Sequence, residues 1–399
     1  MGLDPIVRLR LTDAHEELRS DVRTWLDANL ADEFRHSAAN ADYLADDGHE
    51  RAVGFCQALH NKGWFVPHWP ASYEGGGLGT IEQMIIREQL AYAGAPLVNS
   101  NGTNMLAPIL FSYGSDEQKD RYLPAIARSE TMWAQGYSEP EAGSDLASLR
   151  MTARRDGAEY VLNGQKTWTS NGRLADWIFV LVRTDPAASR PQAGISFLLV
   201  DLRSSGITIS PIRSLTGYPT FAEEFFDDVR VPVANRIGPE HDGWRIAKAL
   251  LDVERSNITR AAQSQRYLDE LVDWCRAREG ADDDPLRNRI NRVALARLVE
   301  RVEVGRALCY RVAQLQAQGT LSSTQASLSK LFHAEFTFEL RTVGAQILGT
   351  ASELMTSEPD APVHGHFSEG LLLSMLHRIG GGTSEIQRDL IGRGLGLPK

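Results

Sequence analysis

The residues best suited to chemistry begin with a short polar run, Tyr137-Ser138-Glu139-Pro140-Glu141-Ala142-Gly143-Ser144-Asp145. Hydroxyls, glycine and backbone amides beside an aromatic ring suit a flat heterocycle and an anionic group. The same composition suits an ordinary capped loop, and the run alone does not separate the two. A second candidate is Asp252-Val253-Glu254-Arg255. A carboxylate held by a neighbouring guanidinium stays ionised near neutral pH, and partial burial raises its basicity, as a general base needs. The alternative for Glu254 is a solvated helix carboxylate paired with an arginine. No histidine pair has metal-ligand spacing, and His364-Gly365-His366 reads as a loop. No serine nucleophile elbow occurs.

These groups must be positioned by elements the pattern predicts. From Trp133 to Asp185 the chain carries Asp156-Gly157, Asn163-Gly164 and Asn171-Gly172 between runs such as YVL and WIFVLV. Such dipeptides are hairpin signals, so this stretch reads as a compact antiparallel β module. It continues through 194–200, 206–209 and 223–232 and closes at Pro232 and Gly238-Pro239. Upstream, Leu11–Leu30 reads as an amphipathic helix capped by Thr12 or Asp13, and 51–63, 81–93, 104–112 and 116–127 read as further helices. Gly75-Gly76-Gly77-Leu78-Gly79 follows no strand and sits in no βαβ unit, so it reads as a flexible turn and not as a dinucleotide fingerprint. Downstream, Ala294, Leu298, Val302, Gly305, Leu308, Val312 and Leu315 step by three or four. Leu328, Leu331, Phe338, Ala345 and Leu348 continue that pattern, so two long helices in a bundle are expected.

A chain of 399 residues has ample core for two or three domains, and 42% hydrophobic with 24% charged residues is ordinary for a soluble enzyme. A net charge of −10 disfavours nucleic acid or an anionic membrane as partner, though local arginines can still hold one phosphate. Cys56, Cys275 and Cys309 have no redox or metal spacing and are expected as buried thiols in a reducing compartment. With no start resembling a signal peptide and no long apolar run, a cytoplasmic protein is expected.

Several of these motifs together resemble the acyl-CoA dehydrogenase family. The Ser138-Glu139-Pro140 loop ending Gly143-Ser144-Asp145, followed by Trp168-Thr169-Ser170-Asn171-Gly172, is similar to its flavin-contacting β domain. Thr12-Asp13-Ala14-His15-Glu16-Glu17-Leu18-Arg19 looks like its first helix; Gly63-Trp64, Trp69-Pro70 and Tyr73-Glu74-Gly75-Gly76 look like its early loop. Gly381-Gly382-Thr383-Ser384-Glu385-Ile386-Gln387-Arg388 looks like its C-terminal signature. The resemblance implies an α+β fold: an N-terminal helical domain (1–130), a middle antiparallel β domain (131–243) and a C-terminal four-helix bundle (244–399).

It also implies FAD-dependent α,β-dehydrogenation of an acyl-CoA thioester. A carboxylate takes the α proton, the β hydride passes to flavin N5, and electrons leave to an electron-transfer flavoprotein. Many members place the base in a Tyr-Glu-Gly-Thr run near the C-terminus, where this chain has Gly381, which cannot be a base. A minority resembling the isovaleryl and long-chain enzymes carry it where Glu254 stands, before Arg255. Glu254 is therefore the expected base, with the Gly381 N–H helping to polarise the thioester carbonyl. By position, Gln135 (where an aromatic is common), Tyr137, Ser138, Trp168, Ser170, Thr383 and Glu385 are expected at FAD, and Ser144, Asp252 and Arg255 at substrate. Contacts to FAD from a second subunit are weakened. Only Arg278 remains of an Arg-x-x-Phe-Gly run, and Gln346-Ile347-Leu348-Gly349-Thr350 replaces Gln-x-x-Gly-Gly. A homo-oligomer (dimer or tetramer) is expected, or a heteromer with a related chain that completes the site. Two readings compete: a flavin oxidase or monooxygenase of the same fold, told apart by oxygen consumption, and a non-catalytic subunit, told apart by absence of FAD.

Overall fold

The computed structural model describes residues 11–35, 46–255 and 258–397, with the backbone alone at 46, 47 and 253–255. The described residues pack as two compact units, those within Met1–Gly48, Gly77–Pro96 and Arg255–Lys399 in one and those within His49–Gly76 and Leu97–Glu254 in the other.

The second unit is built on a sheet of order β6-β7-β3-β2-β4-β5-β8, with β1 alongside β4. Its strands are β1 (Trp133–Gly136), β2 (Thr152–Asp156), β3 (Glu159–Ser170), β4 (Trp177–Arg183), β5 (Ile195–Asp201), β6 (Ile207–Ile212), β7 (Phe221–Pro232) and β8 (Arg236–Ile237). Most pairs are antiparallel, but β1 runs parallel to β4 and β2 meets β4 in parallel at Thr152 and Arg183. The sheet is thus mixed where pure antiparallel pairing was expected. Strands β4 and β5 are buried on both faces, which is why both read as unbroken apolar runs. Tyr160, Leu162, Ile178, Val180, Leu198 and Val200 form the centre of the core.

The glycine dipeptides divide by role. Asp156 pairs with Glu159 across a two-residue turn, with Gly157 at φ +63°, so this hairpin is as the sequence predicts. Asn171 at φ +57° ends β3, as expected of a turn. Asn163-Gly164 is not a turn; it is a bulge inside β3, where the register shifts between Leu162 and Gly164. A Cβ at Gly164, with φ +142°, would overlap Met151. Gly75 and Gly76 are not a flexible turn either. They pack so closely on the Trp69 and Gly63 carbonyls that no Cβ fits. Helices α3 (Asp46–Asn61), α5 (Ala107–Tyr113), α6 (Asp116–Ala127) and α7 (Gly243–Arg255) complete this unit.

The first unit contains α1 (Asp13–Asn29), which Thr12 starts with a capping box, the short α2 (Asp32–Arg35) and α4 (Thr80–Ala93). It also contains α8 (Arg260–Arg276), α9 (Arg289–Ala317), α10 (Ser323–Leu348), α11 (His366–His377) and α12 (Ser384–Gly394). Leu271, Leu298, Val302, Phe336, Leu340 and Phe367 show α8–α11 closing on one core, the four-helix bundle expected. A turn with Gly319 at φ +66° separates α9 from α10. The apolar stripe of α9 is buried at Leu298, Val302, Gly305, Val312 and Leu315 as predicted. On α10 the buried line is Ala326, Ser329, His333, Phe336, Leu340, Gly344 and Ile347, while Leu328 is exposed and Phe338 only half-buried. Leu348 is buried as expected, but small and polar residues share that interior with Phe336, Leu340 and Ile347, so apolarity marks the stripe only in part. His333 is paired with the Cys309 sulfur at 3.3 Å. All three cysteines are buried and none forms a disulfide, consistent with the expectation of buried thiols.

Candidate functional site

In the sheet unit the two motifs paired in the sequence are joined through the backbone. The Thr167 N–H donates to the Ser138 carbonyl at 3.0 Å, and Lys166 Nζ donates to the Tyr137 carbonyl at 3.2 Å. Glu139 anchors the same loop from below. Its carboxylate accepts from the Arg150 and Met151 N–H groups at 2.5 and 2.9 Å and from Lys166 Nζ at 2.8 Å. Lys166 is fully buried, and that burial holds its pKa below the ordinary lysine value. Glu139 stood within the polar run, but neither it nor Lys166, flanked by Gln165 and Thr167, was given a role from the sequence.

The register of β3 against β7 shifts between Lys166 and Thr169, and this second bulge carries Trp168 at φ +60°. A large aromatic residue in the left-handed region is an uncommon, costly conformation. Trp168 is also 61% exposed, with an edge contact to Phe221 at 6.0 Å. A tryptophan held outward against its own preference offers a π face to a flat ring. Ser170 is exposed two residues on, Ser138 and Gln135 are half-buried, and Tyr137 is buried edge-on to Phe179. Ser144 is exposed past a tight turn in which Glu139 and Ala142 exchange backbone hydrogen bonds. This donor set and platform fit a flavin.

Under the bulge lies Glu224, opposite Lys166 in the β3–β7 register and fully buried. Thr169 Oγ1 donates to its Oε2 at 2.5 Å, and Oε1 makes no hydrogen bond among the described residues. Burial pushes this carboxyl up to about 7, with Glu223 adding to the rise and Lys166 opposing it. Between the ordinary carboxyl value and about 7 the folded protein therefore binds more protons than the unfolded one. Stability contributed by Glu224 should fall as pH rises through that window, by about 1.4 kcal/mol for each pH step crossed. Glu88, also raised by burial to about 7, acts with the same sign. Thermal midpoints from pH 5 to 8 should decline less in Glu224→Gln than in the wild type; identical slopes would refute this account.

In the helical unit, Gly381 and Gly382 take φ +66° and +89° before Thr383, whose hydroxyl caps α12 by accepting from the Ile386 N–H at 3.2 Å. Glu385 is exposed in the first turn, where hydrogen bonds from its own backbone N–H and from the Thr383 hydroxyl hold its carboxyl below the usual range. A hydroxyl, glycine amides and a helix N-terminus fit a polar or phosphate-bearing part of FAD. Arg278 and Gln346–Gly349 lie at one end of the bundle, where Cys275, Ile347 and Leu348 share a core. Gln346 and Gly349 are exposed, whereas Arg278 stacks over Trp274 at 4.0 Å and faces Asp283 at 3.6 Å. Asp252 is half-buried on α7; the side chains of Glu254 and Arg255, on the same helix, lie outside the described residues. Among the described residues no cluster of side chains could hold a metal ion, and no helix is long and apolar enough to cross a membrane. His366 opens α11 and binds Glu270 at 2.6 Å.

Family models for the acyl-CoA dehydrogenase N-terminal, middle and C-terminal domains match residues 12–130, 134–229 and 241–396. The chain belongs to the acyl-CoA dehydrogenase family. Acyl-CoA dehydrogenase FadE26 of Mycobacterium tuberculosis is 35% identical over 98% of this chain and 99% of its own. Among solved structures, the Tcur3481-Tcur3483 steroid ACAD is similar with a TM-score of 0.88 and 31% identity over 98% of this chain and all of that one (100%). The ChsE4-ChsE5 complex from Mycobacterium tuberculosis has a TM-score of 0.87 and 34% identity over 98% and 100%. This acyl-CoA dehydrogenase is an FAD-dependent oxidoreductase that converts an acyl-CoA to its enoyl-CoA.

Proposed function

We propose that Glu254 is the base of this acyl-CoA dehydrogenase and that its substrate is the CoA thioester of a bulky, steroid-derived acyl group. One observation carries the assignment of the base: Gly381, at the position where many members hold a glutamate, has no side chain and adopts φ +66°, leaving its N–H as its only contribution. A carboxylate must then come from elsewhere, and Glu254 on α7 is the residue whose position matches. An α C–H of a thioester is a weak acid, so the chain needs both a proton acceptor and a donor at the carbonyl oxygen. Glu254 accepts the proton; the Gly381 N–H receives the oxygen where enolate charge develops. Trp168, Tyr137, Ser138, Gln135 and Ser170 would hold the ring of FAD, which would supply the hydride acceptor, Thr383 and Glu385 would hold its polar part, and Ser144, Asp252 and Arg255 would hold CoA.

The bulky substrate rests on two supports. Glycine in place of a larger residue leaves room, and one similar solved protein is named a steroid enzyme. The other is named as a complex of two chains, which with the altered Arg278 and Gln346–Gly349 motifs favours a heteromer over a homotetramer. The same reading keeps 1–130, 131–243 and 244–399 as the functional segments, an electron-transfer flavoprotein as acceptor, and the cytoplasm as the compartment.

An anaerobic absorbance titration with a panel of acyl-CoAs tests this. Bleaching by polycyclic thioesters and not by short straight chains is the expected result; equal bleaching by both would sink the substrate class. Flavin that appears only after co-expression with a related chain would establish the heteromer.

A further inference from the structure

We infer that Lys330 and Gln387 are positioning residues that aim the Gly381 amide at the thioester carbonyl. The inference rests on the proposed role of that amide. Gln387 lies in the first turn of α12 and is fully buried. Its Nε2 donates to the Gly381 carbonyl at 3.1 Å and to the Gly382 carbonyl at 3.2 Å. Lys330 reaches from α10, and its Nζ donates to the Gly382 carbonyl at 2.5 Å. Two side chains from different helices therefore draw the loop's carbonyls to one side.

The peptide groups on either side of Gly381 and Gly382 respond as rigid planes. The captured Gly381 carbonyl fixes the plane that also carries the Gly382 N–H, and the Gly381 φ of +66° sets the preceding plane, which carries the Gly381 N–H, at one angle to it. No hydrogen bond to the Gly381 or Gly382 N–H occurs among the described residues. These donors are held ready without being used, as a preorganised oxyanion site requires. Glycine alone would not hold this shape, because it populates positive and negative φ about equally. A Cβ at Gly382 would meet Gln387 Nε2 at 2.6 Å, so the loop and this side chain fit only as a pair. Buried amides normally satisfy both ends, yet Gln387 Oε1 makes no bond among the described residues. That side chain is committed to its donor role at a cost in stability.

The probe is an oxidation-resistant acyl-CoA analogue, with sulfur in place of the β methylene and an isotope-labelled thioester carbonyl, bound to the FAD-loaded enzyme. In the wild type the carbonyl stretch should lie below its value in buffer. In Gln387→Leu and Lys330→Met it should move back toward that value. Flavin reduction should slow about tenfold or more, short of the ~10²–10³-fold that loss of an oxyanion donor costs, with little change in analogue affinity. Lys330→Arg, which keeps a cationic donor, should recover most of the shift. If Gln387→Leu does not fold, Lys330→Met, at a half-buried position, carries the comparison. A wild-type shift that persists undiminished in the variants overturns the inference alone. No shift in the wild type overturns the role of Gly381, and this inference with it.

Discussion

Replacing Glu254 by glutamine should slow flavin reduction by acyl-CoA at least ~10²-fold, the lower end of what a general base contributes, while FAD stays bound. Glutamine keeps the length and polarity of the side chain and removes only the ability to take a proton. The loss should therefore fall on the rate of bleaching in anaerobic stopped flow, with thioester affinity and the resting flavin spectrum little changed. Asp252 is the obvious competitor, because it lies on the same helix and is half-buried. Residues two apart on a helix point to opposite sides, so one thioester cannot be served equally by both. Asp252→Asn should accordingly cost far less than Glu254→Gln. Full-speed reduction by Glu254→Gln would move the base to another residue.

How much of this was legible beforehand follows from what each signal depends on. Capping chemistry is local, so Thr12 and the start of α1 were readable, as was the helix Asp116–Ala127. Strands β4 and β5 announced themselves because burial on both faces leaves no polar positions. Asn163-Gly164 misled because the same dipeptide serves a turn and a bulge, and only the pairing of β3 with β7 decides which. The interior of α10 misled for a related reason: Ser329, His333 and Gly344 face inward because Cys309, Phe367 and their neighbours leave room for small or hydrogen-bonding groups. Motif positions such as Tyr137, Ser138 and Trp168 could be named from the family resemblance. What holds them could not, since Lys166, Glu139 and Glu224 meet only after the sheet forms.

That support makes the second large effect a stability effect. Glu139→Gln should destabilise the protein by about 3–5 kcal/mol, the cost of stranding one member of a buried ion pair. The partner left behind is Lys166, which is fully buried and donates to Glu139 and the Tyr137 carbonyl. Glutamine can still accept from a backbone amide, but it cannot balance a buried cation. The pKa of Lys166, already lowered by burial, should drop further, so part of the cost is relieved as the pH rises and the amine sheds its proton. The double variant Glu139→Gln with Lys166→Met removes the stranded charge and should recover much of the loss, because an apolar group of similar volume needs no counter-ion. Denaturant midpoints of the two single variants and the double one measure this coupling directly. Additive losses would show that the pair is not one unit. Strong coupling with weakened FAD binding would mean that this ion pair, buried beneath the Tyr137–Ser138 loop, is what lets a short stretch of backbone and an outward-turned Trp168 serve as a rigid cofactor edge.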